Sequence, residues 1–221
     1  MYHRIATDGP AELQRWRVTP ADFEQQLAWL SRSGYRSISL GDWLAAYRED
    51  PASLSHRMAL TFDDAYTDFL SAALPLLQRY GFGATLFVPT WYVGGAAEWD
   101  QSFGDPAPLL SWEELARVVD AGVEIGGHTV THPCLTELAL DVVRSELVDG
   151  RRTLESELNV PVTTFAYPYG DCNDAVERAA EAAGYDLALT LVPEHRGTFA
   201  LGRIEISGFD TAETFAAKMP A

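Results

Sequence analysis

"MALTFDD", residues 58–64, is an apolar, strand-like run that closes on two adjacent carboxylates, Asp63 and Asp64. An isolated carboxylate is costly to bury, and like charges side by side raise each other's pKa. A strand that ends this way needs a partner for its charges, and the rest of the chain is expected to supply one. Successive strand residues point to opposite faces, so the two carboxylates need not do the same job.

On either side, short apolar or β-branched runs alternate with segments of helical period. The candidate strands are "MYHRI" (1–5), "RSISL" (36–40), "MALTF" (58–62), "ATLFV" (84–88), "VEIGG" (123–127), "TTFAY" (163–167), "DLALT" (186–190) and "RIEIS" (203–207). Helix starts are marked by Thr19 before Pro20, by Ser111 with Glu114 as an S-x-x-E capping box, and by Asn173 or Asp174. Gly34, Gly122 and Gly184 stand where helices should stop, and residues 138–158 read as a further helix. This alternation, with reactive residues just after strands, predicts an α/β fold: a (β/α) barrel of about seven or eight parallel strands with its site at their C-terminal ends. A doubly wound open sheet is the alternative, but no G-x-G-x-x-G follows the first strand.

The 221 residues fit one domain, 1–221, without a linker or repeat. A composition of 47% hydrophobic, 11% aromatic and 22% charged residues excludes disordered and fibrous classes. A net charge of −16 repels polyanions, so neither nucleic acid nor an anionic membrane is an expected partner, and neutral or cationic substrates fit better. Cys134 and Cys172 form no CxxC pair and read as free thiols. No run approaches the ~18 apolar residues of a membrane span, and "MYHRIATDGP" is not a secretory leader. The expected location is cytoplasmic, or secreted or cell-envelope if the N-terminus is incomplete.

"HTVTHP" puts His128 and His132 four apart directly after the strand "VEIGG", a spacing that brings two imidazoles to one ion. Two His and one carboxylate leave coordination positions open for water and substrate, as a catalytic site requires, while the second carboxylate stays free as a base. Zinc, cobalt, nickel and iron all suit such ligands. "FAYPYG", residues 165–170, is a tight turn, or in a hydrolase a turn that aims a backbone N–H at an oxyanion while its rings stack on a sugar.

"TFDDAYTDF", "HTVTHP" and "FAYPYG", in that order, resemble the first three motifs of the polysaccharide deacetylase family, the NodB-homology carbohydrate esterases. The resemblance covers about residues 1–206 and implies a distorted (β/α) barrel and metal-dependent removal of acetyl groups from sugars. It implies Asp63 as general base, Asp64, His128 and His132 as ligands of a divalent metal, zinc first, and the Tyr169 N–H as oxyanion donor. Tyr167 and Pro168 of the same turn, with Trp91 and Trp99 in the loop after the fourth strand, are the candidate sugar contacts. The chain departs from the family pattern in three ways. Ala65 follows the acidic pair where Gly is usual. Ala166 stands where the third motif often has Arg, so Arg203 becomes the candidate to orient Asp63. No C-terminal leucine-rich motif supplies a general-acid His; "MYHRI" resembles the poly-N-acetylglucosamine deacetylase branch, which makes His3 the candidate acid and His195 its competitor. Opening of a cyclic amide on the same fold, or a non-catalytic carbohydrate-binding role, are the other readings.

Overall fold

The computed structural model describes residues 1–191 and 197–220. Its strands are β1 (Arg4–Ile5), β2 (Arg17–Val18), β3 (Arg36–Ser37), β4 (Arg57–Met58), β5 (Thr61–Phe62), β6 (Thr85–Val88), β7 (Glu124–Gly127), β8 (Thr164–Ala166), β9 (Leu187–Thr190) and β10 (Leu201–Gly202). The α-helices are α1 (Pro20–Arg32), α2 (Leu40–Glu49), α3 (Leu74–Tyr80), α4 (Trp112–Asp120), α5 (Leu140–Leu158), α6 (Asp174–Ala182) and α7 (Ala212–Lys218). Strands β5 to β10 form one sheet in the order β10-β9-β8-β7-β6-β5, every neighbouring pair parallel. Every residue of β6, β8 and β9 is buried, as expected of parallel strands covered on both faces.

The curled sheet is closed by very little chain. Tyr2 donates its N–H to Thr61 O at 2.8 Å and accepts from Asp63 N at 3.0 Å, which ties it to β5. Met1 N donates to Ile204 O at 2.8 Å, and Ile206 N to Met1 O at 3.0 Å. Residues 1–2 thus form a seam between β5 and the segment that leaves β10. The result is a distorted (β/α) barrel. At the seam Tyr2 stacks on Phe62 with ring centroids 5.3 Å apart, and Phe23 and Phe69 meet Phe62 edge-on. Burying a side chain of this size contributes about 2–3 kcal/mol.

Local signals act as their chemistry predicts. Thr19 caps α1 with Pro20 in its first turn, Ser111 and Glu114 form a reciprocal capping box on α4, and the Asn173 side chain accepts from Ala175 N and Val176 N at the start of α6. The paired glycines of β7 have a packing reason. A Cβ on Gly126 would lie 2.2 Å from the Phe87 ring, and one on Gly127 2.3 Å from the Tyr185 hydroxyl.

Several strand boundaries differ from the expected ones. "RSISL" is a strand only over β3, because the Ser39 side chain caps α2 by accepting from Asp42 N. "MALTF" is split: β4 pairs with β3, whereas β5 joins the main sheet. "RIEIS" is not a strand; the pairing lies earlier, in β10, and the segment after it bonds instead to Met1. Strand β2 and helices α2, α3 and α7 carried no marked signal.

Candidate active site

Parallel strands put their C-terminal ends at one end of a barrel. Asp63 and Asp64 follow β5, His128 follows β7, residues 167–170 follow β8 and Arg203 follows β10. Asp64 Oδ1 lies 3.3 Å from His128 Nε2 and 3.2 Å from His132 Nε2, and the three residues each offer a ligand atom within 4.8 Å of the others. All three side chains are buried. His128 Nδ1 donates to Ala166 O at 2.7 Å, which leaves its Nε2 lone pair directed at Asp64. Asp64 Oδ1 and His132 Nδ1 have no hydrogen-bond partner among the described residues, although both are buried. Two imidazoles converging on a carboxylate oxygen that receives no hydrogen bond fit a divalent cation better than they fit a hydrogen-bonded cluster.

Asp63 is engaged differently. Arg203 grips it through two hydrogen bonds, Nη1 to Oδ1 and Nη2 to Oδ2, each 2.7 Å, with the two side chains 6% and 4% exposed. Burial pushes the Asp63 pKa up, and the Arg203 guanidinium more than offsets this, so the carboxyl is held ionised. The neighbours diverge because the chain leaves the strand in a left-handed turn, φ 73° at Asp64 and 59° at Ala65. Ala65 therefore bears the strain that a glycine would avoid, about 1–2 kcal/mol. Its methyl, 1% exposed in the core, returns roughly 0.8 kcal/mol of that.

These groups line a cavity of about 100 Å³ together with His3, Trp99 and Tyr169. His3 packs against Trp16 at 4.7 Å; burial lowers its pKa while both Asp64 and Asp63 act to raise it. Trp99 stacks on His132 at 4.2 Å, and the Tyr169 ring meets His132 edge-on at 4.8 Å. Tyr169 itself is left-handed at φ 58°.

Three expected sugar contacts are placed elsewhere. Tyr167 is wholly buried with its hydroxyl on Phe199 O at 2.9 Å, because strand alternation turns it into the core beside Phe165. Pro168 is buried and does not line the cavity. Trp91 is 71% exposed outside it, its backbone N–H donating to Val130 O at 2.9 Å. His195 lies outside the described residues. Sequence reading missed Asp100, which accepts from the Tyr66 hydroxyl at 3.1 Å on the cavity wall. Burial and then the Asp64 charge push its pKa up to about 6. The only signal for it was its position beside Trp99.

Fold and site together define a parallel (β/α) barrel protein with a buried His₂Asp donor set at the strand ends and a separately held carboxylate beside it. The sequence model for polysaccharide deacetylases matches residues 52–188, and the chain belongs to that family. The YxkH protein of Bacillus subtilis, which bears a polysaccharide deacetylase name, is 28% identical over 98% of this chain and 74% of its own. The Escherichia coli poly-β-1,6-N-acetyl-D-glucosamine N-deacetylase is 24% identical over 86% of this chain, which spans only 33% of that relative's length. Among solved structures, the Streptococcus pyogenes deacetylase PplD in complex with acetate superposes with a TM-score of 0.84 at 29% identity, covering 100% of this chain and 96% of the other.

Proposed function

We propose that the chain is a metal-dependent hydrolase that removes the N-acetyl group from an N-acetylated amino sugar, whether in a polymer, an oligosaccharide or a small glycosylated compound. One observation carries this reading: a buried His₂Asp set lies beside a second carboxylate, Asp63, that is gripped by Arg203 and so kept free of the donor set. The activity in the names of the Escherichia coli and Staphylococcus aureus relatives supports it, as does the acetate in the PplD complex.

Asp64, His128 and His132 are the residues that would hold the metal, zinc first, with cobalt, nickel or iron as alternatives. When bound, it supplies Lewis-acid polarisation of the amide carbonyl and lowers the pKa of water. Asp63 takes the proton from the attacking water, and its two bonds from Arg203 fix the carboxylate plane for that transfer. The water oxygen bonds to the carbonyl carbon, and the C–N bond then breaks as the leaving nitrogen gains a proton from His3. Acetate and a free amine result. The Tyr169 N–H is the candidate donor to the tetrahedral oxyanion, a contact whose loss typically costs about 3 kcal/mol. Trp99, stacked on His132 at the cavity wall, offers a face for the sugar ring.

The test is acetate release from N-acetylglucosamine oligomers and small N-acetylglucosaminyl compounds, run beside ring opening of cyclic amides. Release from the acetylated sugars is expected. Turnover of the cyclic amides alone would replace this reading with the other C–N hydrolase chemistry.

A further inference from the structure

The loop that carries both histidines has an unfavourable backbone. Thr129 and His132 are left-handed, at φ 69° and 56°, and a β-branched residue seldom adopts that region. Such geometry persists only where the surroundings over-determine it. Part of the support lies within the loop: the Thr129 hydroxyl donates to His128 O and accepts from His132 N at 3.0 Å. Part comes from the chain after β6, where Thr90 N and Trp91 N donate to Thr129 O and Val130 O.

The remaining support comes from one helix. Glu146, on α5 and 9% exposed, accepts from Val130 N at 2.8 Å and Thr131 N at 2.9 Å through Oε2, and from the Thr131 hydroxyl at 2.7 Å through Oε1. One turn later Gly150 lets the helix approach the same loop. A Cβ there would lie 3.1 Å from both the carbonyl carbon and the oxygen of Thr129. We propose that Glu146 and Gly150 are positioning residues that hold the 128–132 loop in its strained shape and so set the metal affinity of His128 and His132. This rests on the metal reading above. Without the carboxylate, two part-buried N–H groups lose their acceptor and the loop relaxes toward ordinary backbone angles, separating the imidazoles.

The test is zinc affinity of the purified full chain by chelator competition, with the cobalt(II) d–d spectrum as a readout of ligand geometry. Glu146→Leu is expected to weaken zinc binding about 10-fold or more, the scale for losing an outer partner of a metal site. Glu146→Gln keeps a carbonyl oxygen for the two N–H groups and an amide that can donate to Thr131, so it should bind within about 3-fold of wild type. Gly150→Ala improves helix propensity yet presses on Thr129, so a folded protein with weaker zinc binding and an altered cobalt spectrum is expected. It decides the matter if Glu146→Leu does not fold. Wild-type affinity and spectrum in folded Glu146→Leu or Gly150→Ala overturn the proposal while leaving the metal reading intact. A wild-type chain that binds neither zinc nor cobalt overturns both.

Discussion

The two halves of the site are assembled in opposite ways. Asp64, His128 and His132 come from two short segments that follow β5 and β7, on either side of β6 in one sheet, and the histidine segment is braced by hydrogen bonds to β8 and α5. His3 and Arg203 come from opposite ends of the chain and meet Asp63 at the seam, where residues 1–2 lie between β5 and the segment after β10. The first half is fixed by local geometry that a motif can encode. The second depends on closing the barrel over a very long sequence separation, so the proposed acid–base roles are more exposed to global packing than the proposed metal binding is.

Substitutions that separate the halves test this contrast. The largest effect is expected for His128→Ala, which should lower zinc affinity more than about 100-fold, beyond the loss typical of an outer partner, in a competition titration. Asp63→Asn should cut kcat for acetate release about 10²–10⁴-fold while zinc affinity stays within roughly 2-fold, since in the proposed mechanism Asp63 accepts the proton and stands outside the donor set. A parallel loss of zinc in that variant would merge the two halves into one.

Arg203→Met strands a buried carboxylate and should destabilise the fold by about 3–5 kcal/mol in denaturant unfolding. The Asp63 pKa should then rise, because burial acts on it without the guanidinium. Stability held by a depressed carboxyl is present above its unfolded pKa and fades as pH falls through the folded one, so this variant should lose that part of the wild-type acid dependence.

The smallest effects concern the cleft wall. Trp99→Ala should raise KM about 5- to 10-fold with little change in kcat, corresponding to roughly 1 kcal/mol of lost stacking. Trp91→Ala should change neither by more than about 2-fold, since that ring stands outside the cavity.

The same contrast explains what the sequence made legible. Caps at Thr19, Ser111 and Asn173 are contacts within a few residues, and the alternation of strands and helices is a local pattern, so both could be read directly. The candidate donor set, Asp64, His128 and His132, could be picked out because its residues sit in two compact stretches directly after strands. The seam was not: Met1 meets Ile204, a pairing that no periodicity announces, and "RIEIS" therefore looked like a strand of its own. Tyr167 looked like a sugar contact because its turn is aromatic, but which face a strand-end residue takes depends on register, and register turned it into the core. Asp100 escaped notice because a carboxylate in a long loop reads as solvated until the loop folds back over the cavity.

The most direct test of the central claim is acetate release from N-acetylglucosamine oligomers by chelator-stripped protein, before and after stoichiometric zinc or cobalt is restored. Activity that vanishes on stripping and returns with about one metal per chain is the predicted result. Release that persists undiminished in the stripped protein would contradict the account.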